Sequence, residues 1–184
     1  MSPASVATRF NVPERFISNL LSHPVPEMQF RDRYLAPSNC ETPTTDFPRY
    51  PRYTPKIQHW HPDPLEAYVD YIEIIDPRKV FPSEPEGGIR MHPSFARYLE
   101  WLRAGYQPPY PSVFEQIHDG GSPKLIGSNR RRILTAQDAG LTEITVWLGR
   151  WNQKTGLPLK YGDIIHAIQT SIDIPITKGN LCQA

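Results

Sequence analysis

Leu125-Ile-Gly-Ser-Asn-Arg130-Arg131-Arg132-Ile-Leu-Thr-Ala-Gln-Asp-Ala-Gly140-Leu-Thr-Glu-Ile-Thr-Val-Trp-Leu148 is the stretch on which the reading of this chain turns. It predicts a short strand over Lys124–Ile126, then a helix that opens with three consecutive arginines. Gly140 closes that helix, and a second strand follows over Glu143–Leu148. A helix start leaves backbone N–H groups without partners and concentrates positive potential there. Arginines at that end make a seat for a phosphate or another anion. Ser128 or Asn129 is the expected cap, because either side chain accepts from the first N–H groups. Asn129 also tolerates a left-handed backbone, so it serves where glycine otherwise would. Successive helical residues point about 100° apart. Arg130, Arg131 and Arg132 therefore cannot all face one ligand. Each charge-assisted hydrogen bond to a phosphate would contribute on the order of 1.5–3 kcal/mol. The competing reading is that these arginines pair with Glu115, Asp119 or Asp138 and bind nothing.

The stretch sits inside a regular region. Tyr68–Ile75 alternates and is rich in β-formers, which predicts a strand ended by Asp76-Pro77. Pro82–Gly88 reads as a turn-rich loop, and His92-Pro93-Ser94 starts a helix. Phe95, Tyr98, Leu99 and Leu102 lie on one face of that helix, Arg97, Glu100 and Arg103 on the other. Gly105 stands where a C-terminal cap belongs. Pro108–Pro111 leads into a strand over Val113–Ile117, and Asp119-Gly-Gly-Ser122 is a hairpin turn. A Gly156/Pro158 turn precedes a helix over Tyr161–Ser171, with Ile164, Ile165 and Ile168 inward.

Upstream the character changes. Many of the 21 prolines fall between Pro24 and Pro64. Proline fixes its own backbone and disfavours helix at the residue before it. Residues 22–64 are therefore expected to be extended and mostly without regular structure. Phe30, Tyr34, Phe47, Tyr50, Tyr53 and Trp60 argue against simple disorder and favour an arm laid over the domain or a partner.

The bulk numbers narrow the function. A chain of 184 residues buries one good core with a small appendage. Twenty basic and nineteen acidic residues give a net charge of +1, so contact with nucleic acid is expected to be local. Cys40 and Cys182 make neither a disulfide framework nor a zinc site. There is no apolar run near ~18 residues and no apolar leader at the start, so the expectation is a cytoplasmic protein with no membrane partner.

Residues 67–150 resemble the ParB/sulfiredoxin superfamily, also known as ParB-like nuclease domains. The order is similar: a first strand, a loop, a helix ending in glycine, a strand led by prolines, a hairpin, a Gly-x-x-Arg-type helix ending in Ala139-Gly140-Leu141, and a final strand. The resemblance places the family's phosphate motif on Asn129-Arg130-Arg131-Arg132. It implies that Arg132 holds phosphate with Arg131 beside it, and that Arg90 is a second anchor. Ser128 and the helix's N–H groups would complete the cradle. Glu73 and Asp76 lie where some members carry acidic residues, which implies a base or metal ligand for phosphoryl transfer or phosphodiester hydrolysis. A nucleoside triphosphate with Mg is the implied cofactor. Three departures stand out. Arg130 occupies the place of sulfiredoxin's cysteine and of the partition proteins' glutamate, so sulfinic-acid repair is not carried over and CTP hydrolysis is put in question. Asn129 stands for the motif glycine, unless Gly127 serves in a shifted turn. No helix-turn-helix domain follows the core.

Other constellations remain. Ser5–Leu21 resembles the two-helix core of a helix-turn-helix, with Val6, Ala7 and Phe10 lining the first helix and Asn11-Val12 making the turn. Ile17, Leu20 and Leu21 would pack the second helix, leaving Arg15, Ser18 and Asn19 outward toward a DNA groove. No third helix precedes it, and the alternative is an amphipathic hairpin packed on the core or a partner. His59-Trp60-His61 has a metal-like look but no third ligand at a recognisable spacing. His92 and His118 flank the arginine helix by topology, each a candidate for acid–base work or a structural residue. Trp147 and Trp151 read as core or arm-packing residues.

The expectation is an α/β (α+β) fold: a small mixed β-sheet with packed helices over 66–172, a helical hairpin over 1–22, an arm over 23–65 and a tail over 173–184. The expected function is binding of a nucleotide or nucleic-acid phosphate, with NTPase, phosphotransferase or nuclease chemistry as its extension. The alternative is a non-enzymatic scaffold whose proline-rich arm grips a protein partner.

Overall fold

A computed structural model describes residues 2–22, 50–57, 63–82, 88–106, 110–116, 124–127, 130–152 and 155–172. Among these the chain forms five α-helices: α1 (Pro3–Phe10), α2 (Glu14–Ser22), α3 (Pro93–Arg103), α4 (Arg130–Asp138) and α5 (Tyr161–Ile172). The strands are β1 (Pro55–Ile57), β2 (Val69–Ile75), β3 (Val80–Pro82), β4 (Ser112–Gln116), β5 (Lys124–Gly127), β6 (Ile144–Gly149), β7 (Trp151–Asn152) and β8 (Leu157–Pro158). Short 3₁₀ turns cover Pro64–Glu66 and Pro77–Lys79. The mixed α/β class is as expected. The chain forms two compact units: Met1–Pro26 with Tyr53–Tyr71 and Arg150–Ala184, and Glu27–Arg52 with Ile72–Gly149.

In the first unit, Ser2 caps α1 by accepting from the Ser5 N–H at 3.4 Å. Asn11 ends the helix with φ 51°, a left-handed turn that asparagine tolerates. Its N–H reaches the Ala7 and Thr8 carbonyls. Val6, Ala7, Phe10, Val12, Phe16, Ile17 and Leu20 are buried. Two expectations are corrected here. Leu21, read as inward, is 42 % exposed, because one residue beyond buried Leu20 the helix has turned about 100°. Asn19, read as outward, donates its amide to the Tyr53 carbonyl at 3.3 Å.

A third helix joins this pair from the far end of the sequence. α5 packs on α1, with Ile164 and Ala167 buried and Ile165 and Ile168 half-buried. Its start is fixed by the Tyr161 N–H bonding the Ala67 carbonyl at 2.9 Å. β1 pairs antiparallel with the Val69–Tyr71 end of β2, which sets Lys56 opposite buried Asp70. Burial lowers the Lys56 ammonium from its ordinary value, and the Asp70 charge opposes that shift. The strand at 55–57 departs from the irregular structure expected for this segment: β1 supplies β2 with backbone partners that an edge would otherwise lack.

In the second unit the sheet order is β2-β6-β4-β5-β3, with Ile72–Ile75 of β2 taking part. β4 is antiparallel to β5 and parallel to β6, and β3 is parallel to β5. The antiparallel pair is the predicted hairpin, although its turn at 119–122 lies outside the described residues. β3 was not expected, since three residues carry no readable alternation. Gly105 (φ 84°) and Gly140 (φ 74°) stop α3 and α4 as the sequence predicts. Phe95, Tyr98, Val113, Ile133, Leu134, Val146, Trp147 and Leu148 are buried, Trp147 on the face of β6 opposite Val146 and Leu148. Tyr50 and Tyr110 pack on Trp147, their ring centroids 5.6 and 6.5 Å away. The rest of the proline segment (23–49 and 58–62), the His59-Trp60-His61 run, His118 and the tail after 172 lie outside the described residues.

Candidate functional site

α4 is positioned by what its inner face buries. Ile133, Leu134 and Ala136 are inward, and Thr135 returns its hydroxyl to the Arg131 carbonyl at 2.7 Å. At the strand end, Gly127 lets the helix come close: a Cβ there would lie 3.1 Å from both Ile133 Cγ1 and Val80 Cγ1. Gln137 ties the far half of the helix to the Pro77 carbonyl at 2.8 Å. The two candidate capping residues, Ser128 and Asn129, lie outside the described residues.

Arg131 and Arg132 go separate ways. Arg131 Nη1 donates to Ser94 Oγ at 2.7 Å and lies 3.3 Å from His92 Nδ1, both in the start of α3. His92 is the N-cap of α3, and its Nδ1 accepts from the Ser94 N–H at 3.2 Å. The ring proton therefore sits on Nε2. Ser94 Oγ lies 2.7 Å from the same nitrogen, so the hydroxyl receives from Arg131 and donates to His92. Ser94 is only 5 % exposed. No carboxylate pairs with Arg131 among the described residues.

Arg132, turned about 100° further round the helix, reaches the Tyr110 carbonyl at 3.5 Å. It lines a cavity of about 370 Å³ whose walls include Ile74, Leu102, Tyr106, Leu141 and Glu143. The sequence placed both arginines in a single cradle. The helical turn instead sends one to the start of α3 and the other to a cavity bounded by the end of α3.

The remaining sequence candidates have found other partners. Arg90 grips Asp138 with two bonds, Nε to Oδ2 at 3.1 Å and Nη2 to Oδ1 at 2.9 Å. That guanidinium holds the Asp138 carboxyl below its ordinary value, against an opposing effect of burial. The carboxylate pairing foreseen for the helical arginines is thus made by Arg90. Glu73 accepts from Arg52 Nε at 2.8 Å and from the Ile74 N–H at 2.9 Å. Asp76 caps the Pro77–Lys79 turn and pairs with Arg78, whose hydrogen bonds pull its carboxyl down to about 2. A carboxylate so stabilised is a weak proton acceptor at neutral pH. The Asp76 turn also docks beside Gln137, six residues or about 9 Å along the helix from Arg131.

Ser94 and the cavity wall around Tyr106 are the members that sequence reasoning did not single out. Ser94 was visible only as part of a helix start. Among the described residues, no cluster of three His, Cys, Asp or Glu side chains is arranged to hold a metal ion. No helix there is long and apolar enough to cross a membrane. No family model matches this sequence, and no curated protein is significantly similar to it.

Proposed function

We propose that the chain is a ParB-like phosphate-binding protein whose ligand is a nucleotide or a nucleic-acid backbone. The observation that carries this reading is the Arg131 guanidinium. It stands at the first turn of α4, where backbone N–H groups are directed outward, and its partners are a hydroxyl and an imidazole rather than a carboxylate. A phosphate oxygen is a stronger acceptor for a guanidinium than either. Binding would exchange two neutral contacts for charge-assisted ones, beside the positive end of the helix. Arg132, on the adjoining flank, adds a second cation in the wall of a cavity large enough for a small ligand.

The proposal is one of binding. Glu73 and Asp76 are each engaged by an arginine of their own, and Arg90 is committed to Asp138. None of the three is assigned to the cradle.

Thermal melting of the full chain with ATP, CTP, GTP or ADP, each with Mg, tests the nucleotide form. A ligand at a hundred times its Kd stabilises by about 2.7 kcal/mol. The expected result is a rise in Tm that Arg131→Ala abolishes. For the nucleic-acid form, affinity for a short duplex should fall as salt rises, with a shallower slope in Arg131→Ala. No response to any of these ligands, or a response indifferent to Arg131, would overturn the reading.

A further inference from the structure

The first unit has chemistry of its own, independent of Arg131. We propose that α1 and α2 form a helix-turn-helix that reads duplex DNA, with α2 entering the major groove and α5 completing the three-helix core. Eight residues of α1, a three-residue turn and nine residues of α2 match the motif's short helices and tight turn. Asn11 occupies the turn position that needs a left-handed backbone, at φ 51°. Val6, Ala7, Phe10, Val12, Phe16, Ile17 and Leu20 of the pair are buried. Two helices this short do not bury such a face alone. The fold brings α5 onto α1, with Ile164 and Ala167 fully enclosed.

The outward face of α2 suits a groove. Arg15, Ser18 and Ser22 follow each other at helical spacing, with Arg15 and Ser22 exposed. An arginine there can address the O6 and N7 atoms of a guanine. The Ser18 hydroxyl donates to the Glu14 carbonyl at 3.2 Å, so it keeps its lone pairs for a base amino group. Leu21 is available to a thymine methyl. Asn19 is excluded, because its amide is committed to Tyr53. α1 contains no acidic residue, and it presents Ser2 and Ser5 at its start and Arg9 in its last turn, as befits a helix lying across phosphates. A protein-docking face would show an apolar or aromatic centre, whereas this one is polar apart from Leu21. Double-stranded RNA does not fit, since its major groove is too narrow for a helix.

Selection from a pool of random duplex DNA by the full chain provides the test. A short motif should be enriched. Arg15→Ala should lower affinity for it about tenfold, and Arg15→Lys should keep the charge while relaxing preference at one base pair. A motif enriched by a protein that no nucleotide stabilises would support this site alone, which separates it from the one proposed above. Both Arg15 variants should melt as the parent does, because the side chain is exposed. Failure to enrich any motif overturns the proposal. So does a motif whose affinity ignores Arg15→Ala and Ser18→Ala in correctly folded protein, or a preference for RNA over DNA.

Discussion

Arg131 donates a 2.7 Å hydrogen bond to Ser94, a residue 37 positions away, and so joins the first turn of α4 to the first turn of α3. Ser94 passes the contact on to His92, the cap of its own helix. Three side chains from two helix starts thereby hold one another in place. The guanidinium is oriented without being neutralised, which is the condition a phosphate site requires.

The link has an energetic signature. Single Ser94→Ala and Arg131→Ala substitutions and their combination, followed by chemical denaturation, should show a coupling of about 1 kcal/mol. Additive losses from the two substitutions would mean that the bond contributes nothing to folding.

Gly127 sets how closely α4 approaches the sheet. Its missing side chain leaves Ile133 and Val80 at the distance that a Cβ would crowd, 3.1 Å on each side. Gly127→Ala should destabilise the fold by about 1–3 kcal/mol through overpacking. The melting temperature should drop accordingly, and a second substitution, Ile133→Val, should recover part of the loss. A Gly127→Ala protein as stable as the parent would show that the contact is loose.

The Arg90–Asp138 pair predicts a dependence on acid. The Asp138 carboxyl lies below its ordinary 3.8 in the folded chain, chiefly through its hydrogen bonds to Arg90, with Arg103 adding a smaller pull. A depressed folded pKa contributes stability that is complete above the unfolded value and lost as pH falls through the folded one. Removing the partner with Arg90→Ala should move the Asp138 titration up toward 3.8, read by carbon NMR of the carboxyl group. It should also flatten the acid limb of the stability profile. An Asp138 titration unmoved by Arg90→Ala would mean that the pair does not persist in solution.

Local signals were legible. The arginine helix runs from Arg130 to Asp138 and is closed by Gly140, within a residue or two of its reading. The hairpin pairing of β4 and β5, the strand after Gly140 and the helix after His92-Pro93 were read from periodicity and turn residues. Neither β1 nor β3 was, because three residues hold too little alternation to register. The direction of Arg132 was not readable either. A 100° step separates it from Arg131, but only the packing of α3 and Pro111 decides that a cavity waits there.

Periodicity, capping and turn chemistry act within a few residues, so the longer strands and helices and the charge at the start of α4 were written in the chain itself. Which carboxylate each arginine would meet was settled elsewhere. Asp138 found Arg90 across 48 positions, Glu73 found Arg52 across 21, and Arg131 was left to a serine and a histidine. The joining of α5 to α1 is of the same kind. Such pairings depend on how distant segments are brought together when apolar faces are buried, and no local pattern encodes that.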